Sequence, residues 1–307
     1  MTRPFRFAVQ LSEAGSRDDW IDKVTRAEAL GYDVVAMPDH VSYQLAPMPA
    51  LVAAAEATER VRLATFVLDN DFRNPVLMAQ EAETVNLLTG GRLELGLGAG
   101  WWGQDYERLG IEFAAPRVRL ERLQEAVEIV DRYFTGEPFS FEGRHYRVAG
   151  VDPPARVKEL ARPTLILAGG GPKILDFAAR RADVVGVFLK SRRDGSGFVD
   201  DDYTAEACER KTQRVREVAS EASRDVELNI LLQHCEVTND RKSVAEERAR
   251  EDGISGDDLL GLPFELIGTV DQMVGDLLER RERYGISYIT VFDRYHGTFA
   301  PLIERLR

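Results

Sequence analysis

A repeated pattern constrains the fold of this chain more than any other feature of its sequence. Short β-branched or leucine-rich runs recur, and a longer amphipathic stretch follows each of them. The eight runs are Phe5–Leu11, Asp33–Pro38, Arg62–Leu68, Leu93–Gly98, Thr164–Gly169, Val184–Leu189, Glu227–Gln233 and Tyr288–Phe292. Several of them are apolar at consecutive positions, which is typical of strands that are covered on both faces.

The segments between the runs show the periodicity of amphipathic helices. In Asp18–Leu30 the apolar side chains fall on one stripe, and Gly31 follows as a stop signal. The same period predicts helices over Pro75–Leu88, Val118–Phe134, Pro172–Arg181, Ala205–Ala222, Val270–Tyr284 and Thr298–Leu306. Alternating strands and helices predict an α/β fold with a parallel sheet. Eight units favour a single (β/α)8 TIM barrel domain over residues 1–307, with a doubly wound open sheet as the alternative.

Three stretches interrupt the alternation. Phe134–Val148 alternates around Glu142-Gly143 and predicts a β-hairpin. Ser191–Asp202 is rich in Gly, Arg and Asp, and predicts a mobile loop. Glu246–Leu262 is charged and then loosely helical. We therefore expect a barrel that carries loop insertions at its C-terminal face.

Charge and cysteine content narrow the functional classes. The chain has 40 Lys and Arg against 52 Asp and Glu, a net charge of −12. This balance argues against a nucleic-acid backbone or an anionic membrane as the main partner. Two cysteines are too few for a disulfide framework or a zinc cluster. The sequence shows neither the apolar core of a signal peptide nor an apolar run long enough for a membrane span, so we expect a cytoplasmic protein.

In a parallel barrel, functional residues collect on the loops that follow the strands. Polar, glycine and aromatic residues follow the predicted strands here. They are Asp39-His40, Asp69-Asn70-Asp71, Gly98-Ala99-Gly100-Trp101-Trp102, Gly169-Gly170-Gly171-Pro172, Lys190, His234 and Asp293-Arg294. The pattern predicts that these residues gather on one rim of the barrel.

Two glycine-rich steps indicate ligand contacts. In Gly169–Pro172 the backbone N–H groups could approach an anion, and the start of the following helix favours a phosphate. A tight turn is the alternative for this step. In Gly96–Gly100 the missing side chains leave room for a flat ligand, which Trp101 and Trp102 could wall. A bulged strand end with surface-packed tryptophans is the alternative there.

The histidines give little support to a metal site. The chain has four, and neither H-x-H nor H-E-x-x-H occurs, so we expect no metal and disfavour a barrel metallohydrolase. Asp39-His40 is a candidate acid/base pair, although a structural His40 at a strand end is the alternative. Cys235 beside His234 fits a small hydrophobe better than a nucleophile.

Taken in order, these pieces resemble the bacterial-luciferase-like family of flavin- and deazaflavin-dependent oxidoreductases. The resemblance runs through Ala27–His40, Arg73–Trp101, the Gly169–Pro172 turn and Leu266–Met273. It implies a barrel that binds a flavin-type ring at its C-terminal end. The favoured cofactor is coenzyme F420, a deazaflavin that exchanges a hydride with a small organic substrate. The alternative is a monooxygenase that uses reduced FMN supplied by a partner flavin reductase.

The resemblance also implies roles for single residues. His40 is the catalytic residue beside the reactive carbon. The implied cofactor contacts are Asp39, Phe66, Val67, Leu68, Asp69, Ala99, Gly100, Gly170, Gly171, Lys173 and Ile174. The last four match the family's phosphate cradle, and the family's non-prolyl cis peptide corresponds to Phe66–Val67. The family also often forms dimers, so a homodimer is expected.

The chain departs from part of the family at one position. Trp101 stands where the family's sugar-phosphate dehydrogenases have a glutamate. We therefore assign Trp101, Trp102 and His234 to the substrate pocket, and the tryptophans suggest an apolar or aromatic substrate. The basic residues Lys190, Arg192 and Arg193 favour F420, whose tail is acidic, although a solvated loop explains them as well. A barrel that only carries a flavin is a further alternative, and His40 argues against it.

Overall fold

The computed structural model describes residues 3–307, in which thirteen strands are found. They are β1 (Arg6–Gln10), β2 (Val34–Met37), β3 (Arg62–Thr65), β4 (Leu68–Asp69), β5 (Leu93–Gly98), β6 (Phe139–Glu142), β7 (Arg147–Val151), β8 (Thr164–Gly169), β9 (Val184–Val187), β10 (Glu227–Leu231), β11 (His234–Val237), β12 (Glu265–Gly268) and β13 (Ile286–Phe292). The parallel order β3-β2-β1-β13-β10-β9-β8-β5 is closed by pairing of β3 with β5, and β4 continues β3 along β5. The predicted TIM barrel is confirmed, and the open-sheet alternative is wrong.

Helices surround the barrel. They are α1 (Arg17–Ala29), α2 (Pro47–Ala57), α3 (Pro75–Leu88), α4 (Gly103–Leu109), α5 (Pro116–Tyr133), α6 (Pro172–Arg181), α7 (Ala205–Glu221), α8 (Arg241–Asp252), α9 (Gly256–Leu260), α10 (Val270–Tyr284) and α11 (His296–Leu306). The predictions for α3, α6 and α10 match the structure end to end. No helix within residues 3–307 has the combined length and apolar character of a membrane span.

The barrel strands alternate between two cores. Outward side chains such as Phe7, Val9 and Leu63 pack under the helices, whereas Ala8, Ala36 and others form a separate cluster inside the barrel. Charged side chains lie inside the N-terminal end of the barrel. Here Arg6 pairs with Glu94 and with Glu227, and Arg62 Nε donates to Glu94 at 2.6 Å. The buried carboxylates Glu94 and Glu227 are thereby paired with partly exposed arginines, as burial of a charge requires.

The insertions into the barrel lie where the alternation of strands and helices in the sequence is interrupted. The predicted hairpin is confirmed, although β6 begins at Phe139, five residues after the predicted start, because residues 134–138 form a turn after α5. Glu125 of α5 accepts hydrogen bonds from three backbone N–H groups of the hairpin turn, Arg144 to Tyr146, at 2.8–2.9 Å. The charged stretch contains parts of α8 and all of α9, which cover a small parallel sheet of β11 and β12.

Candidate functional site

The C-terminal end of the barrel, called the mouth below, has an apolar floor. Phe66 and Phe188 meet edge to face with ring centroids 5.3 Å apart, and Val67, Phe188 and Leu231 are partly exposed above the interior cluster. The Phe66–Val67 peptide bond is cis, which confirms the expectation from the family resemblance. Such a floor offers a flat ring an apolar surface and excludes water from it.

The glycines of β5 serve this floor in a way that the sequence did not indicate. A Cβ on Gly98 would lie 2.8 Å from Val67 Cγ2, and one on Gly96 would lie 2.9 Å from Val67 Cγ1. The space that we assigned to a flat ligand is thus filled by Val67. The two glycines admit a neighbouring strand, and Val67 is the side chain that stays partly exposed at the mouth.

Asp39 lies at the edge of the mouth and is engaged by a cation that the sequence analysis missed. Arg73 donates to both carboxylate oxygens of Asp39, at 2.5 and 2.9 Å. The backbone N–H of Asp69 donates to Asp39 Oδ2 at 3.0 Å. Asp39 therefore fixes the chain that follows β3, and a bidentate arginine pair of this kind is geometrically rigid.

Asp69 is a buried carboxyl group beside Asp39. Its Oδ1 accepts from the Tyr106 hydroxyl at 2.9 Å and from the Asp71 N–H at 3.0 Å. Burial raises the pKa of Asp69 to about 7, despite these hydrogen bonds, and the nearby negative charges of Asp71 and Asp39 act in the same direction. Near neutral pH this carboxyl group can therefore either donate or accept a hydrogen bond.

The turn at Ala99-Gly100 closes over Asp69. Gly100 has φ +73°, and a Cβ there would lie 2.4 Å from Asp69 Oδ2 and 2.0 Å from the Tyr106 hydroxyl. Buried Arg119 of α5 holds the turn from behind, because its Nε donates to the Ala99 carbonyl at 3.0 Å. Glycine is required at position 100 both by its backbone conformation and by this close approach.

His40 has a second missed partner, Asp105 of α4. The two side chains meet at 2.7 Å between His40 Nδ1 and Asp105 Oδ2, and the other carboxylate oxygen accepts from the Val41 N–H at 3.2 Å. Arg108 donates to that same oxygen at 3.2 Å. Since a carboxylate accepts, His40 Nδ1 carries the proton and Nε2 is the nitrogen that can exchange a proton with a ligand.

Aromatic rings surround His40. The rings of Trp101 and Trp102 lie edge-on to the imidazole at centroid distances of 5.8 and 5.4 Å, and Tyr43 stacks on it at 5.7 Å. Trp101 also stacks on Phe198 at 4.8 Å. The structure thus brings together three predicted site residues, His40, Trp101 and Trp102, and adds Tyr43 and Phe198. We call these five residues the aromatic cluster.

The predicted phosphate cradle is the start of α6. Gly171 is its N-cap and supplies no side-chain hydrogen bond, so the first N–H groups of the helix, including those of Lys173 and Ile174, are not satisfied by a cap. A Cβ on Gly171 would meet only Ile174 Cγ2, at 4.0 Å, whereas one on Gly170 would lie 2.3 Å from the Leu189 carbonyl carbon. Gly170 is therefore needed for packing, and Gly171 faces open space.

His234 contacts Tyr295 and Glu236 rather than the aromatic cluster. Its Nδ1 meets the Tyr295 hydroxyl at 3.1 Å and its Nε2 meets Glu236 at 3.2 Å, and burial lowers its pKa. A place in the substrate pocket stays a prediction for His234. Neighbouring Cys235 is buried, and burial raises the pKa of its thiol to about 12, which fits a hydrophobe.

The remaining candidates lie on the segment after β9. Lys190, Arg192 and Arg193 are exposed, and their contact with a cofactor tail stays a prediction. Residues 191–198 form a small turn in which Ser191 and Phe198 are bridged, and the mobility of the segment stays a prediction. Among residues 3–307, no group of three or more His, Cys, Asp or Glu side chains is arranged to hold a metal ion.

A ring with a phosphate-bearing tail fits these residues. The apolar floor suits the flat ring, the uncapped start of α6 suits a phosphate, and Asp69 can hydrogen-bond a polar ring edge. His40 presents Nε2, a nitrogen that can exchange a proton, at the same mouth. A flavin-type ring held there would supply hydride chemistry beside this nitrogen.

The chain is similar to several known proteins. F420-dependent glucose-6-phosphate dehydrogenases from Intrasporangium calvum and Amycolatopsis mediterranei are 35% and 32% identical over 176 residues, which are 53% and 54% of this chain and 51% of each relative. The chain thus spans about half the length of these curated relatives.

Solved structures resemble the whole barrel. An F420-dependent tetrahydromethanopterin reductase from Methanopyrus kandleri superimposes with a TM-score of 0.78 at 16% identity, over 99% of this chain and 100% of that one. A monooxygenase from Streptomyces bottropensis gives 0.74 at 22% identity, over 98% and 99%. At these identities the likeness concerns the fold. The model of the luciferase-like monooxygenase family matches residues 1–285, and the chain therefore belongs to this family.

Proposed function

We propose that the chain is an oxidoreductase that transfers a hydride between coenzyme F420 and a small organic substrate. The observation that carries the proposal is the His40–Asp105 pair, 2.7 Å apart, among aromatic rings at the mouth of the barrel. Hydride transfer to or from a carbonyl or a conjugated carbon requires a proton on the partner atom, and an oriented imidazole supplies it. The cofactor supplies the hydride chemistry when it is bound.

Each part of the site has its own task in this proposal. Val67, Phe188 and Leu231 bear against the ring and keep water from the reacting carbon. The N–H groups of Lys173 and Ile174 bind the phosphate at the start of α6. Asp105 fixes the tautomer and the orientation of His40, and thereby presents Nε2 to the substrate. Binding and proton transfer are thus carried by different elements.

Two observations favour F420 over FMN. The curated relatives are named as F420-dependent enzymes, and Lys190, Arg192 and Arg193 offer positive charge to an acidic tail on an otherwise acidic protein. The alternative is a monooxygenase that receives reduced FMN from a partner flavin reductase. The solved structures of monooxygenases with the same fold support that alternative.

We further propose a homodimer in a reducing compartment such as the cytoplasm. Leu77, Leu87 and Leu88 of α3 are 57%, 41% and 55% exposed, and a partner subunit could cover them, although Gln80, Glu81 and Thr84 share the outer face of this helix. Cys208 and Cys235 are both free and buried, which fits a reducing compartment. The molar mass in solution, from sedimentation equilibrium, tests the dimer.

Titration of the protein with F420 and with FMN at matched ionic strength tests the cofactor. We expect the dissociation constant of F420 to be the smaller of the two. Tighter binding of FMN, together with oxygen-dependent turnover in the presence of a flavin reductase, would favour the monooxygenase. Binding of F420 without turnover of any acceptor would instead indicate a carrier protein.

A further inference from the structure

One ring of the aromatic cluster comes from a loop two strands away along the barrel. Phe198 ends the turn formed by residues 191–198, which follows β9, yet its ring stacks on Trp101, which follows β5. The two ring centroids are 4.8 Å apart and the ring planes differ by 20°. The turn therefore reaches across the end of β8, which lies between β9 and β5 in the barrel, and places an aromatic face over the aromatic face of Trp101.

A close contact between two glycines fixes this crossing. The Gly103 N–H donates to the Gly195 carbonyl at 3.3 Å. Gly195 has φ +72°, and a Cβ on it would lie 2.4 Å from the Gly103 backbone nitrogen. At the base of the turn, buried Lys211 pairs with Asp202 and donates to the Phe188 carbonyl at 2.8 Å. The backbone of the turn is thus held at Gly195 and near Asp202, on either side of Phe198.

We propose that Trp101 and Phe198 form a slot for a planar conjugated carbonyl compound, a quinone or an aryl enone, which is the hydride acceptor of the enzyme. The ring of the acceptor takes the place of the Phe198 ring on Trp101, and Phe198 moves to cover its outer face. The slot opens toward His40, whose imidazole lies edge-on to Trp101 at 5.8 Å. This inference rests on the proposed function and names the substrate class of the same site.

The chemistry around the slot suits such an acceptor better than a sugar phosphate. Arg108, a cation beside the slot, is already engaged by the Asp105 carboxylate and by the ring of Trp102 at 4.9 Å. Bound reduced F420 would supply a hydride, and His40 in its doubly protonated form, with Nδ1–H held by Asp105, would donate the proton from Nε2 to give the hydroquinone. The quinone is reduced by two electrons, the coenzyme is oxidised by two, and His40 regains its proton from solvent.

Calorimetric titration with menadione, a two-ring quinone, tests the slot without the cofactor. Wild type and Phe198→Tyr are expected to bind it alike, since both keep the stacking ring. Phe198→Leu and Trp101→Leu are each expected to weaken binding by roughly 2- to 12-fold, which is the measured range for one aromatic pair. Phe139→Leu, a matched change in the distant hairpin, is expected to leave binding unchanged. Equal affinities in wild type and both slot variants would overturn the inference.

Kinetics with reduced F420 provide the second readout. Phe198→Leu is expected to raise KM for menadione several-fold and to leave KM for 2-cyclohexenone, which has no aromatic ring, unchanged. A rise in both KM values would show that Phe198 merely shapes the mouth, and would overturn the slot. If F420 binds and menadione does not, the slot fails and the proposed function stands. If menadione binds through Phe198 and F420 does not bind, the proposed function fails instead.

Discussion

The proton on the His40 imidazole is placed by a single buried carboxylate. Asp105→Asn keeps the size of the side chain but offers an amide, whose NH2 group favours the opposite tautomer of His40. We expect kcat to fall by roughly 10²–10⁴ while the dissociation constant of F420 changes little. Asp22→Asn, an exposed change on α1, is the control. An unaltered kcat in Asp105→Asn would show that the 2.7 Å contact has no part in proton transfer.

The raised pKa of Asp69 predicts how the stability of the folded chain depends on pH. Its ordinary pKa is 3.8 and burial raises it to about 7 in the folded chain, so the folded state keeps a proton that the unfolded chain loses. A raised pKa of an acid makes the folded state less stable as pH rises through this window, from about 4 to about 7. The free energy of unfolding is expected to fall by roughly 4 kcal/mol from this carboxyl group alone.

Urea unfolding at pH 5 and pH 8 measures this effect. Asp69→Asn keeps an Oδ1 that accepts from Tyr106 and from the Asp71 N–H, and it cannot ionise. We expect the variant to lose much of the pH dependence and to exceed wild type in stability at pH 8. The same slope against pH in both proteins would mean that Asp69 is ionised throughout the range.

At the scale of the element, two neighbouring glycines at the start of α6, Gly170 and Gly171, are expected to respond differently to substitution. Gly171→Val adds a side chain beside the uncapped N–H groups, where Ile174 Cγ2 at 4.0 Å is the nearest atom, so the fold is expected to persist. The affinities for F420 and FMN should both fall by roughly 10- to 100-fold, because both ligands carry a phosphate and each charge-assisted hydrogen bond contributes about 1.5–3 kcal/mol.

The matched change at the preceding position should act differently. A Cβ on Gly170 would lie 2.4 Å from the Lys190 backbone nitrogen, so Gly170→Ala is expected to lower the free energy of unfolding. Thermal unfolding and cofactor titration of both variants check the pair. If Gly171→Val lost stability but kept the wild-type affinities for F420 and FMN, the phosphate would bind elsewhere.

The segment after β9 discriminates between the cofactors by charge. Changing Arg192 and Arg193 to Glu is expected to weaken F420 several-fold more than FMN, since an exposed contact contributes about 0.2–1 kcal/mol. The difference should shrink at high ionic strength because exposed charges are screened. The ratio of the two dissociation constants, in wild type and double variant, is the measurement. An unchanged ratio would leave the relatives' names as the main support for F420.

At the scale of the whole molecule, the barrel was predictable because its signals are local. Each apolar run marks one barrel strand, with Arg62–Leu68 divided between β3 and its continuation β4, and a proline begins each of α3 and α6. Helix α2 was not predicted because its sequence, PMPALVAAAEA, is apolar almost all round and shows no polar face. Periodicity identifies a helix by the contrast between an apolar face and a polar face, and α2 shows little of this contrast.

The site was only partly predictable because its decisive contacts are distant in sequence. Asp39 and Arg73 are 34 positions apart, and His40 and Asp105 are 65 apart. Residues so far apart in sequence meet only because the barrel closes. A local sequence pattern does not reveal which side chains this closure brings together. For the same reason Val67, rather than a ligand, fills the space above Gly96 and Gly98.

The central claim is that this mouth binds F420 and that His40 moves the proton that accompanies the hydride. Parallel measurement of the F420 dissociation constant and of kcat in wild type and His40→Ala tests it most directly. We expect the dissociation constant to stay within a few-fold and kcat to fall by roughly 10²–10⁴. Equal losses of binding and turnover, or an unchanged kcat, would contradict the claim.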